Sequence, residues 1–84
     1  MDSKSLKVLI EAGAIKKIRV IGDGSHFYME IITKGEPSLV NTLKGKLKTW
    51  ATIDAAAKWI HSMGIGTLHV ELEKWQPGQR RLGL

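Results

Sequence analysis

The residues best suited to chemistry in this sequence are cations, and they fall in three groups: Lys16, Lys17 and Arg19; Lys44, Lys46 and Lys48 around Gly45; and Lys74, Arg80 and Arg81. Residues 15–21, 37–53 and 74–84 each carry a net +3, whereas 22–36 and 54–73 each carry −2 and 1–14 is neutral. Such clustering suits a polyanion: each phosphate neutralised releases condensed counterions, so log K falls with log salt by about 0.9 per contact on duplex DNA. The plain alternative is a solvated strand face whose lysines only guard sheet edges against aggregation. The Lys44–Lys48 stretch is the sharper signal, because a two-stranded ribbon fits the major groove and a glycine at its tip lets the backbone approach a phosphate. Arg19, Arg80 and Arg81 are the only guanidinium groups, so base reading by paired donors is poorly supplied and the expected sequence preference is weak or shape-dependent. Tyr28 and Trp75 are the aromatic candidates for stacking on bases or touching a partner, while Phe27 and Trp59 sit on apolar patterns that read as core.

Catalytic chemistry is missing by comparison. With no cysteine there is no thiolate nucleophile, disulfide or Cys-ligated metal site, and the reason for an oxidising compartment is gone. His61 and His69 are separated by a helix end, and no carboxylate completes a metal-ligating set with them. Gly22-Asp23-Gly24-Ser25 reads as a turn and not a phosphate loop, since no Gly-Lys-Ser/Thr follows it. No catalytic residue, metal ligand or cofactor is therefore assigned, and the chain reads as non-enzymatic.

The elements that must position the cations follow from periodicity. Ser3 or Ser5 caps a helix over 3–12 that ends at Gly13. Ile18 and Val20 alternate with Lys17 and Arg19, and Phe27, Met29 and Ile31 with Tyr28 and Glu30, so the runs on either side of Asp23-Gly24 predict a hairpin. SLVNTL and KLKTWA around Lys44-Gly45 predict a second pair of strands, with a bulged loop setting Leu43 opposite Leu47 preferred to a two-residue loop setting it opposite Lys46. Thr52 caps a helix with Ile53, Ala56, Ala57, Ile60 and Met63 on one stripe, which Gly64 stops, and Ile65 packs back after it. TLHVELE predicts a last strand. The expected fold class is α+β: an antiparallel four-stranded meander with a covering helix and a further C-terminal strand, in the order αββββαβ.

At 84 residues and net charge +5 the sequence has room for one thin core, and it divides into a single basic α+β domain over 1–76 and a basic C-terminal tail over 77–84. No signal-peptide pattern opens it and nowhere do 18 uncharged apolar residues run together, so a cytoplasmic protein with no membrane segment is expected. Two free sheet edges make a homodimer an open option.

Two stretches, LKGKLKTWATIDAAAKWIHSMGIG and HVELEKWQPGQRR, together resemble the small ParC-like plasmid partition-associated proteins, encoded beside ParA-type ATPases on plasmids and integrative elements. The positions that carry the likeness include Lys44, Gly45, Lys48, Trp50, Thr52, Asp54, the alanines 55–57, Gly64, Ile65, Trp75, Pro77, Gly78 and Arg81, with Ala12 to Ile15 also similar. Lysines stand where that pattern has arginines in the hairpin. More loosely, KLKTWATIDAAAKW is similar to the three-stranded-sheet DNA-binding domains of phage-type integrases and of a class of plant transcription factors, in which the sheet enters the major groove. The resemblance implies an accessory DNA-binding protein of a plasmid or mobile element, duplex DNA as partner ahead of single strands, and a ParA-type ATPase as a second partner. The rival is a protein-interaction module docking through its last strand or the Trp75 tail on a partition or conjugation component, with the lysines serving solubility only.

Overall fold

The computed structural model describes residues 1–76. Helix α1 spans Ser3–Glu11, strands β1 and β2 span Lys17–Gly24 and His26–Ile32, β3 is the two-residue Ser38–Leu39, α2 spans Ile53–His61, and β4 spans His69–Trp75. Asp2, not a serine, caps α1: its backbone is extended and its carboxylate accepts the Ser5 N–H at 2.9 Å. Thr52 caps α2 as expected, accepting the Ala55 N–H at 3.0 Å. Gly64 takes φ +98°, and the Ile65 N–H returns to the Ile60 carbonyl, which seats Ile65 against the core.

The first hairpin forms, with Ile18, Val20, Phe27, Met29 and Ile31 all turned to the helix side and buried. Its loop is Gly24-Ser25 and not Asp23-Gly24, because Asp23 pairs with His26. Leu6 of α1 and Ala56 and Ile60 of α2 close the same core together with Val40 and Trp50. The opposite face of the sheet has no helix over it among the described residues.

The expected antiparallel meander is corrected in two places. The sheet is mixed, in the order β3-β2-β1-β4, with β4 parallel to β1. A crossover longer than a dozen residues that contains a helix returns the chain to the end of the sheet where β1 begins, and the strand that follows then runs the same way as β1. The expected third and fourth strands also shrink. Val40 bonds to the Met29 carbonyl and Trp50 pairs with Phe27, so both lie along one edge of β2, and residues 41–49 leave the sheet between them. Of the expected fourth strand only the isolated bridges at Leu47 and Trp50 remain.

A bulge in β4 between the partners of Ile21 and Asp23 turns Trp75 to the inner face, where its ring lies 5.6 Å from Phe27. Gly22 makes this possible. A Cβ there would stand 2.7 Å from Trp75 Cβ and 3.0 Å from the Phe27 ring, too close for any side chain.

Candidate nucleic-acid interface

Residues 41–47 fold into a hairpin of their own. Asn41 bridges Leu47, the Thr42 N–H donates to the Lys46 carbonyl, and the Gly45 N–H donates to the Thr42 carbonyl at 2.9 Å. Gly45 takes φ +88°, so the last residue of the four-residue Thr42–Gly45 turn is left-handed, as in the three-residue bulged loop. The bulged loop is as expected, but the register differs. Thr42 faces Lys46, and Leu43 and Lys44 occupy the turn itself. The Lys46 N–H also reaches Thr42 Oγ1 at 3.2 Å.

The base of this hairpin is anchored from two sides. The Met1 ammonium donates to the Leu39 carbonyl at 2.9 Å and the Asn41 N–H donates to the Met1 carbonyl, so the chain's first residue is laid against the hairpin's entry. On the exit, the Lys48 N–H donates to Val40, and Trp50 exchanges two backbone bonds of 2.8 Å with Phe27. Lys48 Nζ lies 5.4 Å from the Trp50 ring and 5.5 Å from the Trp59 ring, within the range of cation–π attraction. That contact holds the ammonium in place without neutralising it. Lys44 and Lys46 are exposed, and Lys48 is half-buried. Among the described residues, no carboxylate lies within 4 Å of Lys44, Lys46 or Lys48.

Arg19 is a different case. Its Nε stands 3.1 Å from Glu30 Oε1 and 3.0 Å from Glu71 Oε2, on the open face of the sheet. The Arg19 Nε and the Glu30 oxygen are sealed from solvent without an aligned hydrogen bond, so the attraction is mainly ionic. His69 adds an imidazole 3.7 Å from the same Glu71. With one guanidinium between two carboxylates the cluster is net acidic, and Arg19 is withdrawn from any phosphate-binding set.

The remaining expected residues do not gather at one place. Lys16 and Lys17 lie where β1 begins, and Lys16 walls a cleft of about 520 Å³ with Leu9, Ala14, Thr33 and Lys34. Lys74 faces Asp23 near the far end of β1, on the sheet edge opposite the hairpin. Arg80 and Arg81 lie outside the described residues. Tyr28 is half-buried on the open face, and Trp75 is packed on Phe27 over Gly22, which accounts for its ring without a partner.

Sequence reasoning missed Glu30 and Glu71. A loop at Asp23-Gly24 would have set Arg19 opposite Tyr28, whereas the observed loop sets it opposite Glu30. Glu71 arrives only because β4 docks beside β1, with Ile21 paired to Glu71 and Arg19 to His69. Leu43 and Leu47, expected opposite each other, are instead out of register and exposed on the lysine hairpin. Among the described residues no group of three His, Asp or Glu stands close enough to hold a metal, and no helix is long and apolar enough to cross a membrane. Comparison with protein-family profiles, with curated proteins and with solved structures finds no match to this chain.

Proposed function

We propose that this chain is a non-enzymatic duplex-DNA-binding accessory protein, gripping phosphates with Lys44, Lys46 and Lys48 on the 41–48 hairpin. One observation carries the reading: Lys44 and Lys46 on a hydrogen-bonded hairpin and Lys48 on its exit arm have no carboxylate within 4 Å among the described residues. Duplex is favoured over single strands because stacking on unpaired bases needs exposed aromatic rings, and the described rings are buried or half-buried. A role in plasmid or mobile-element maintenance is supported by the likeness of residues 43–66 and 69–81 to partition-associated proteins. Arg19, held between Glu30 and Glu71, is not part of this contact set.

The test is a fluorescence-anisotropy titration of a random-sequence duplex across a salt series. Three phosphate contacts give a slope of log K against log salt of about −2.7. Equal binding by Lys44→Glu/Lys46→Glu would remove the hairpin from the interface, and no binding by the unaltered protein at 50 mM salt would sink the nucleic-acid reading.

A second reading rests on β4. It is an outer strand of the sheet, and Val70 and Leu72 are 39% and 44% exposed. An extended segment of a partner, such as a ParA-type ATPase, would add there as a further strand. Self-pairing is disfavoured: a two-fold antiparallel match centred on Glu71, Leu72 or Glu73 sets glutamate against glutamate. A pull-down with the partner ATPase that survives Leu72→Lys would remove this reading.

A further inference from the structure

The hairpin tip carries an apolar group that phosphate binding leaves unused. Leu43 occupies the first corner of the turn and is 67% exposed, more than any other large hydrophobic residue among those described. A turn corner accepts nearly any residue, and a polar one would be better solvated there. Leu47, 43% exposed, stands on the returning arm, while Lys44 is the second corner of the turn and Lys46 opens the returning arm. The tip is not floppy: the Thr42 hydroxyl ties the arms, Gly45 fixes the bulge, and Met1 and Val40 hold the base. A hydrogen-bonded hairpin with Leu43 at its tip, Leu47 on its returning arm and ammonium groups alongside matches a ligand that is anionic outside and apolar just within.

Resting on the proposed duplex binding, we infer that Leu43 is a wedge that enters a base step from the minor groove, in place of the major-groove docking expected of a two-stranded ribbon, partly unstacks it and bends the duplex, while Lys44, Lys46 and Lys48 hold the flanking phosphates. Apolar wedges of this kind kink DNA by about 20–90° and gain back the unstacking through the extra surface the bend brings into contact. An anionic bilayer has the same layered chemistry. However, even a whole myristoyl chain gives only marginal membrane binding, so one leucine is too little apolar surface for an anchor, whereas a base step has room for a single side chain. Flexible pyrimidine–purine steps are the easiest to open, so the protein prefers a TA-containing duplex to an A-tract of equal length.

The experiment uses the full chain and a 30-base-pair duplex labelled at both ends for energy transfer, with 2-aminopurine beside a central TA step. The unaltered protein is expected to shorten the end-to-end distance and brighten the 2-aminopurine. Leu43→Ala keeps the salt slope, binds roughly tenfold more weakly as buried aliphatic surface is lost, and abolishes both signals; Leu43→Phe restores them. Binding with an unchanged salt slope but no bend, in the unaltered protein and in Leu43→Ala alike, overturns the wedge while leaving phosphate binding intact. Absence of DNA binding, with Leu43-dependent co-sedimentation on phosphatidylserine vesicles, overturns the wedge and the duplex reading together.

Discussion

Arg19 and the Lys44–Lys48 hairpin hold similar charge in the sequence and opposite charge in the fold. At Arg19 the sheet brings two carboxylates, from β2 and β4, to within 3.1 Å of one guanidinium, and the site ends as a net acid. At the hairpin the chain turns away from the sheet, and no carboxylate follows it among the described residues. The difference is topological. A residue in a central strand has neighbours on both sides, each able to bring a countercharge across the ladder, whereas a turn that leaves the sheet has none. Segment charge therefore overstates the contribution of strands to a polyanion surface and is a fair guide for protruding loops.

That contrast breaks most visibly with Lys44→Glu/Lys46→Glu. Losing two phosphate contacts is expected to weaken duplex binding about a hundredfold or more at 50 mM salt and to cut the salt slope by about 1.8. Stability, read by thermal melting, stays within about 0.5 kcal/mol because exposed surface charges contribute little. Weak binding together with a large fall in Tm would mean that these lysines pack.

The next effect concerns the seam that delivers Glu71. Gly22→Ala drives a Cβ into Trp75 and Phe27, and overpacking of this kind costs about 1–3 kcal/mol. For a domain of this size, each kcal/mol lowers Tm by about 4–8 °C. An unchanged Tm would show that Trp75 does not sit over Gly22.

Arg19→Ala is the mirror of the lysine pair. It leaves Glu30 and Glu71 without their shared cation, and because all three side chains keep some contact with water the expected loss is about 1–2 kcal/mol, well below that of a fully buried pair. Duplex affinity is unchanged or slightly higher. A fall in affinity matching that of a hairpin lysine would restore Arg19 to the interface and erase the contrast.

The smallest effect lies beside the hairpin's anchor. The Ser5 backbone N–H holds the Asp2 carboxyl below its ordinary value of 3.8; desolvation is the next effect and opposes it, and the Ser5 side chain, the Lys4 N–H and the N-terminal charge add smaller lowering contributions. A lowered folded value means the cap's contribution is complete above that ordinary value and fades as pH falls through the lowered one. Asp2→Asn keeps an accepting oxygen, so the variant is expected to lose less stability than the unaltered protein between pH 4 and pH 2, as followed by circular dichroism. Parallel acid curves would show that the cap is not what titrates.

Both helices, the first hairpin and the inward residues of β1 and β2 were legible because each depends on neighbours close in sequence: Thr52 on Ala55, Gly64 on the His61 carbonyl, Ile18 and Val20 on a period of two. What stayed hidden depends on distant pairing. The run TLHVELE shows a strand but not its neighbour or direction, and the parallel placement beside β1 follows from where α2 sets the chain down. A shift of one residue in the first loop changed the partner of Arg19 from an aromatic ring to a carboxylate. The lysine hairpin was legible as a turn with a glycine, but its register was not, since Leu43 and Leu47 fit either an inward pair or an exposed tip until Val40 and Trp50 are seen to share one edge of β2.

The parallel pairing of β4 also orders how this molecule comes into being. β1 is synthesised well before β4, so one whole edge of it waits for a segment about fifty residues downstream. Contacts of such wide separation form late and slowly. Until they do, a nascent chain carries an unpaired strand edge from Arg19 to Gly24, the kind of edge that chaperones and proteases recognise. Premature termination within α2 would leave that edge bare for good, so truncated products of this sequence are expected to be cleared rather than to persist as partly working fragments.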